Sequence, residues 1–334
     1  MPKHSLAEQL DTLIDSVIAA PRGQSLSGEN NELIPFVPVA RVLHNLPRPD
    51  FKQILKSDLL RMEPMKDDAA VPTPTHVRPS FVRPGFNNIA PYIVVDGATD
   101  FIAFLQAAFE GAERIRMPRP DGKVMHAQVD IGNSAVEVGD VSAEHPARPC
   151  TVHLYAGSAD QTYALALKAG ATSIYPVADQ PWGDRQGCVK DEFGNVWYIA
   201  MPNGWDPGPE GVRNIQPFLH LRNASSMIPF LQEAFEAEVL GMAKSDEGEL
   251  LHSTVKIGVG TVEINEAHGD AQPMPSYLHV YVPDVDDLYG RALKAGAQSV
   301  ESPSTKPYGE RSAAVRDPFG NTWYLATYLE GAKK

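Results

Sequence analysis

Asp191-Glu192-Phe193-Gly194-Asn195-Val196-Trp197-Tyr198 returns 126 residues later as Asp317-Pro318-Phe319-Gly320-Asn321-Thr322-Trp323-Tyr324. Working outward, the offset does not change. Leu167-Lys168-Ala169-Gly170-Ala171 matches Leu293-Lys294-Ala295-Gly296-Ala297, Ile131-Gly132 matches Ile257-Gly258, and Ala108-Phe109 matches Ala234-Phe235. A fixed spacing over this length means two copies of one fold in one chain. A residue kept in both copies answers a shared structural or chemical demand.

Each copy holds two similar half-units. In the first, an apolar strand is expected from Ile89 to Val95. Phe101, Phe104, Leu105, Ala108 and Phe109 then fall on one helical face, with Gly111 expected as the C-terminal stop. Strands are expected around Arg114–Met117, Val124–Ile131 and Ala135–Val138, with Asp121-Gly122 as a turn. The second half repeats the order: a strand over 151–155, a helix over 159–169, and strands over 173–177, 187–190 and 196–200. This is a βαβββ module, four times in the chain, an α+β class. Asp-x-Phe-Gly-Asn reads as a turn whose Gly needs positive φ.

The modules account for residues 86–203 and 212–330, joined by a Pro/Gly-rich connector at 204–211. Residues 1–66 have no twin. Leu6, Leu10, Leu13, Ile14, Val17 and Ile18 lie at helical spacing there, predicting a small helical extension whose apolar faces cover the repeats or a protein partner. A Pro-rich linker is expected over 67–85. With 334 residues, 43% hydrophobic and 21% charged, the composition is that of a soluble globular protein. A net charge of -13 argues against nucleic acid and anionic membranes as partners. No apolar run is long enough to span a bilayer, and Glu8, Asp11 and Asp15 interrupt any secretory pattern. The two cysteines, Cys150 and Cys188, form no framework, so a reducing, cytoplasmic setting with free thiols is expected.

The βαβββ–βαβββ order with its closing D-x-F-G-N-x-W-Y strand resembles the vicinal oxygen chelate superfamily: glyoxalase I, bleomycin- and fosfomycin-resistance proteins and extradiol dioxygenases. Pro91-Tyr92-Ile93, the run Asp121 to Ala127, Trp182-Gly183-Asp184-Arg185 and Asp191 to Tyr198 are similar to its PhnB-like branch, as are Pro217-Phe218-Leu219, Leu251-His252-Ser253, Tyr308-Gly309-Glu310-Arg311 and Asp317 to Tyr324. The resemblance implies two glyoxalase-like domains, each with a cup-shaped sheet, arranged as an internal pseudo-dimer, with a homodimer as a further arrangement.

In metal-dependent relatives four ligands come from fixed places on the first and last strands of the half-units. By that resemblance the places hold Tyr92, Glu137, His153 and Tyr198 in the first copy, and Phe218, Glu263, His279 and Tyr324 in the second. Each copy keeps one carboxylate and one imidazole. His220, whose twin is Val94, lies two residues from Phe218 on the same strand face. His220, Glu263 and His279 are therefore a candidate two-His-one-carboxylate set for Fe, Mn, Ni or Zn in the second domain.

The bland alternatives stand beside these. Glu137 with His153, and Glu263 with His279, are expected as buried hydrogen-bonded pairs or as carboxylate-tuned general bases. His126 and His252 read as polar residues satisfied across the sheet. Tyr92, Tyr198, Phe218 and Tyr324 line an aromatic groove. Trp182 and Tyr308 border it, and Arg185 and Arg311 either pair with their neighbouring acids or bind an anionic substrate. Two functions remain open: a metal-assisted lyase, isomerase or dioxygenase acting on a small polar metabolite, with its centre in the second domain, or a metal-free protein that sequesters a small-molecule ligand.

Overall fold

A computed structural model describes residues 81–83, 86–202, 214–268 and 272–329. The expected helices within 1–66 and the 204–211 connector lie outside the described residues. Both copies belong to one compact unit, 76–334.

The first copy runs β1 (Ile89–Val95), α1 (Ala98–Phe109), β2 (Ala112–Pro118), β3 (Val124–Ile131) and β4 (Ser134–Asp140), then β5 (Thr151–Tyr155), α2 (Ala159–Lys168), β6 (Thr172–Asp179), β7 (Asp184–Lys190) and β8 (Val196–Pro202). The second runs β9 (Asn214–Leu221), a short 3-10 turn (Ala224–Ser226) into α3 (Met227–Phe235), β10 (Glu238–Lys244), β11 (Leu250–Ile257) and β12 (Gly260–Glu266), then β13 (Tyr277–Tyr281), α4 (Val285–Lys294), β14 (Gln298–Lys306), β15 (Glu310–Arg316) and β16 (Thr322–Tyr328). The four expected βαβββ modules are all present.

The sheets do not follow the copies. One eight-stranded sheet has the order β14-β15-β16-β13-β1-β4-β3-β2, the other β10-β11-β12-β9-β5-β8-β7-β6. β1 of the first copy pairs antiparallel with β13 of the second, and β5 pairs with β9 in the same way. Each sheet is therefore half one copy and half the other.

The hydrophobic cores follow the copies, except that Ile89 joins the second copy's cluster and Ile215 the first copy's. Ile93, Val138, Val152, Leu154 and Trp197 share one cluster with α1, and Leu219, Ile264, Leu278, Val280 and Trp323 share another with α3. Period-two alternation explains both facts. On β5, Val152 and Leu154 enter the core, so His153 and Tyr155 must face the other side. The same holds for Tyr92 between Pro91 and Ile93, and for His279 between Leu278 and Val280. Core-facing residues build each copy, and the intervening ones build a surface shared between copies.

The repeated motif is a buried anchor. Gly194 and Gly320 take φ 91° and 92°. The Asp191 carboxylate accepts from the Phe193 and Asn195 backbone N–H groups, the Asn195 side chain and, at 2.9 Å, Trp197 Nε1. Asp317 makes the same four bonds. Burial pushes both acids upward despite these donors. The end of α1 differs from the expectation. Glu110, not Gly111, takes the left-handed conformation, φ 55°, as does its twin Glu236. At Gly111 a Cβ would sit 2.7 Å from Val129, although the twin position carries Ala237 beside Val255.

Candidate functional site

In the first sheet, the shared face carries Tyr92, Val94, Glu137 and Gly139 from the first copy and His279, Tyr281 and Tyr324 from the second. They line a cavity of about 560 Å³. His279 Nδ1 lies 2.6 Å from Glu137 Oε1. Burial alone would pull the imidazole down, but the adjacent carboxylate outweighs it and His279 titrates above its ordinary value. Burial likewise raises Glu137, and His279 reverses this to a net lowering. The Tyr92 ring meets Tyr324 edge-on at 5.5 Å and His126 at 5.8 Å. Burial and Glu137 push the Tyr92 phenol upward, so it stays protonated.

The rim of this cup contains a cluster that sequence reading did not single out. The Tyr281 hydroxyl donates to Glu310 Oε1 at 2.7 Å, and Arg83 Nε reaches the same oxygen at 3.0 Å. The Arg83 guanidinium lies over the rings of Phe86, Tyr308 and Tyr328. Val82 is buried against Tyr281 and Ala326 and Arg83 lines the cavity, so the end of the expected linker supports the cup. Tyr281 could have been found from the sequence: Tyr155 is its twin, two residues beyond His153 and hence on the same strand face.

The second sheet builds the matching cup from His153, Tyr155 and Tyr198 of the first copy and Phe218, His220, Glu263 and Asn265 of the second. His153 Nδ1 lies 2.5 Å from Glu263 Oε2, and His252 Nε2 lies 3.4 Å from the same oxygen. The Tyr155 hydroxyl donates to Oε1 at 3.3 Å. Burial raises Glu263, but His153 and His252 bring it down to about 2. Tyr175 donates to Gln186 Oε1 at 2.7 Å, which turns the Gln186 amide nitrogen toward His153 Nε2 at 3.3 Å. His153 with Nδ1 donating and Nε2 accepting satisfies both neighbours.

Three expectations are corrected. The carboxylate–imidazole pairs are Glu137–His279 and Glu263–His153, not Glu137–His153 and Glu263–His279, because β1 pairs with β13 and β5 with β9. His220, Glu263 and His279 do not form a ligand set, since His279 is in the first sheet and the other two are in the second. Arg185 and Arg311 neither pair with their neighbouring acids nor enter a cup. Strand alternation turns Glu310 inward and Arg311 outward, where it binds Asp286 at the start of α4. Arg185 binds Asp160 and Asp179 in the same way. Trp182, 64% exposed, hydrogen-bonds Asp184, which lies in the field of His153 and Glu263, and Tyr308 borders the first cavity.

Residues 85–199 and 222–325 match the Glyoxalase/Bleomycin resistance protein/Dioxygenase superfamily. The chain belongs to that superfamily. An uncharacterized protein of Mycobacterium bovis is 36% identical over 125 residues, covering 34% of this chain and 82% of that protein. The fold is similar to glyoxalase I from Zea mays, with a TM-score of 0.55 at 13% identity over 72% of this chain and 92% of that one. It is also similar to a putative dioxygenase from Bacillus subtilis, with a TM-score of 0.52 at 8% identity over 72% of this chain and 85% of that one. At such identities the likeness concerns the fold alone.

The superfamily implies a divalent metal, and the donors here do not fit one. In each cup the single carboxylate and the imidazole that take ligand positions touch each other through their donor atoms. Two ligands held at about 2.0–2.2 Å from one ion sit roughly 3 Å apart or more, so each pair would have to open before an ion could take both. The remaining positions are protonated tyrosines or Phe218. Among the described residues no group of three His, Cys, Asp or Glu is arranged for a metal. Cys150 and Cys188 are both buried, and burial pushes the Cys188 thiol up to about 12, so neither offers a thiolate. No described helix is long and apolar enough to cross a membrane.

Proposed function

We propose that the chain is a metal-independent small-molecule binding protein of its superfamily, with one site in each of the two crossed cups. The observation that supports this is the direct His279–Glu137 contact, repeated as His153–Glu263, which uses the donors a metal would need. The first cup has the size of a small-ligand site and mixes aromatic walls, Tyr92 and Tyr324, with a few polar groups, the usual composition for enclosing a small polar metabolite. The PhnB-like motifs and the free, buried thiols suit a cytosolic binder. Calorimetric titration with a panel of small polar aromatic metabolites, in the presence of a chelator, tests the reading. Binding should survive chelation. Binding that appears only when a divalent ion is restored would overturn it.

A second reading is favoured by one observation. Glu137 orients the His279 imidazole through Nδ1 and raises its basicity, the arrangement of a general base. His279 would then take a proton from a substrate seated against Tyr92 and Tyr324, with Glu137 stabilising the resulting imidazolium. His153 and Glu263 would do the same in the second cup. Turnover of a ligand found in the screen, lost in His279→Gln while binding persists, would favour this reading over simple sequestration.

A further inference from the structure

Three floor positions are polar in the second cup and apolar in the first. Gln216, His220 and Asn265 of the second cup stand where the first has Ala90, Val94 and Gly139. The strand register puts all three on the cup-facing side, with Gln216 roughly 13 Å along β9 from His220. Gln216 lies opposite His153 across β5 and β9, so both face the cup, and His220 lies beside Asn265 across β9 and β12. These same three residues carry buried polar atoms with no hydrogen-bond partner in the protein: Gln216 Oε1, His220 Nε2 and Asn265 Oδ1. His220 is only 2% exposed. Folding alone gives no reason to bury three unpaired polar groups where the sister cup manages with apolar ones.

A fourth exchange accommodates the third. In the first cup a Cβ on Gly139 would sit 3.2 Å from the Tyr92 hydroxyl oxygen and 3.3 Å from the Met125 carbonyl oxygen. The second cup has Phe218 in place of Tyr92, which removes the hydroxyl and admits Asn265. Phe218 then stands edge-on to the His220 ring at 4.7 Å, with Tyr198 5.2 Å away. The floor thus offers two amide carbonyl oxygens and an imidazole nitrogen beside aromatic faces. Burial, with His268 adding to it, holds His220 down at about 4, so the ring is neutral near pH 7. Carbonyl oxygens accept hydrogen bonds and repel an anion.

Resting on the reading of the cups as binding sites, we infer that the second cup selects an uncharged ring compound carrying several N–H or O–H donors, which Gln216, His220 and Asn265 recognise and the first cup cannot. Polyols and amino-substituted heterocycles share this chemistry.

The test uses the full chain with its histidine rings labelled with nitrogen-15. myo-Inositol represents a polyol, cytosine an amino heterocycle and benzoate an anionic ring. NMR follows the ring nitrogens of His220 in the second cup and His279 in the first. The inference predicts that myo-inositol or cytosine moves His220 and leaves His279 in place, and that benzoate does not move His220. In Gln216→Ala/His220→Val/Asn265→Gly, whose floor copies one this chain already folds, affinity read from Tyr198 ring protons should fall at least tenfold. The melting temperature should stay the same or rise. A probe that moves His279 alone, benzoate moving His220, or a triple variant that keeps its affinity would each overturn the inference while leaving the cups as binding sites. No response at either histidine would overturn the inference and count against the binding reading itself.

Discussion

His279 Nδ1 lies 2.6 Å from Glu137 Oε1 across 142 residues of sequence. Its counterpart, His153 with Glu263, closes 2.5 Å across 110 residues. The same duplication that repeats each residue at an offset of 126 also exchanges its partner. Each site therefore exists only when both copies are folded and their strands are paired.

This crossing can be measured as energetic coupling. A double-mutant cycle of Glu137→Gln with His279→Gln should give an interaction energy of about 1–3 kcal/mol, as for groups in direct contact in one buried pair. The cycle of Glu137→Gln with His153→Gln should give less than about 0.5 kcal/mol. Chemical denaturation of the four proteins in each cycle provides the measurement. The reverse pattern would place the pairs within the copies.

The pH dependence of stability follows from the shifts. His279 is raised, so its contribution is complete below 6.5 and is lost as pH rises through its folded value. Glu137 is lowered, so its contribution is complete above 4.5 and is lost as pH falls through its folded value. The pair therefore supports the fold most strongly between those limits. Denaturation curves of Glu137→Gln should show a flatter loss of stability on both sides than the parent chain.

His220 acts in the opposite sense to His279. Its folded value is lowered from 6.5 to about 4. Below 6.5 the unfolded chain takes up a proton that the folded chain refuses, which removes about 2 kcal/mol between pH 6.5 and pH 5. His220→Val should abolish that loss, and melting temperatures of the two proteins should diverge as pH falls. Parallel curves would show that His220 is protonated in the fold.

Arg83 is expected to matter for the first cup only. Arg83→Ala leaves Glu310, 4% exposed, with Tyr281 as its remaining partner here and uncovers the rings of Tyr308 and Tyr328. A cost of about 1–3 kcal/mol is expected for the weakened carboxylate. Ligand affinity in the first cup should fall, with the nitrogen resonances of His220 in the second cup unchanged. Equal effects on both cups would mean that Arg83 acts on the whole fold.

Asp191→Ala removes the acceptor of four hydrogen bonds around a buried tryptophan. A loss of about 3 kcal/mol or more is expected, since several buried donors are left unpaired at about 1–3 kcal/mol each. Asp317→Ala should cost a similar amount, measured by thermal unfolding. A negligible effect at either position would mean that the repeated motif is not the anchor of the last strand.

The modules, helices and repeated turn were legible because each is local. Helical spacing at Phe101 to Phe109, alternation on the strands, and Gly194 and Gly320 at positive φ are set within a few residues. The partner of each half-unit was not. Glu137 has the same sequence distance pattern to its own copy's histidine as Glu263 has to its own, and both pairings bury equivalent faces. Only the long-range pairing of β1 with β13 and β5 with β9 decides between them. Arg185 and Arg311 were misplaced for a simpler reason: their neighbours Asp184 and Glu310 take the inward face, and alternation leaves the arginines outside. The significance of His220 was half legible. Its mismatch with Val94 was visible, as was Gln216 on the same face of its strand, but Asn265 comes beside it only across the sheet.

The most direct test of the central claim is elemental analysis of the purified chain, followed by melting after chelation with Ni(II), Mn(II), Fe(II) and Zn(II) restored in turn. With His279 bound to Glu137 and His153 to Glu263, the account predicts far less than one metal per chain and no rise in melting temperature with any of the four ions. Near-stoichiometric metal, with a rise in melting temperature lost in His279→Ala or His153→Ala, would contradict it.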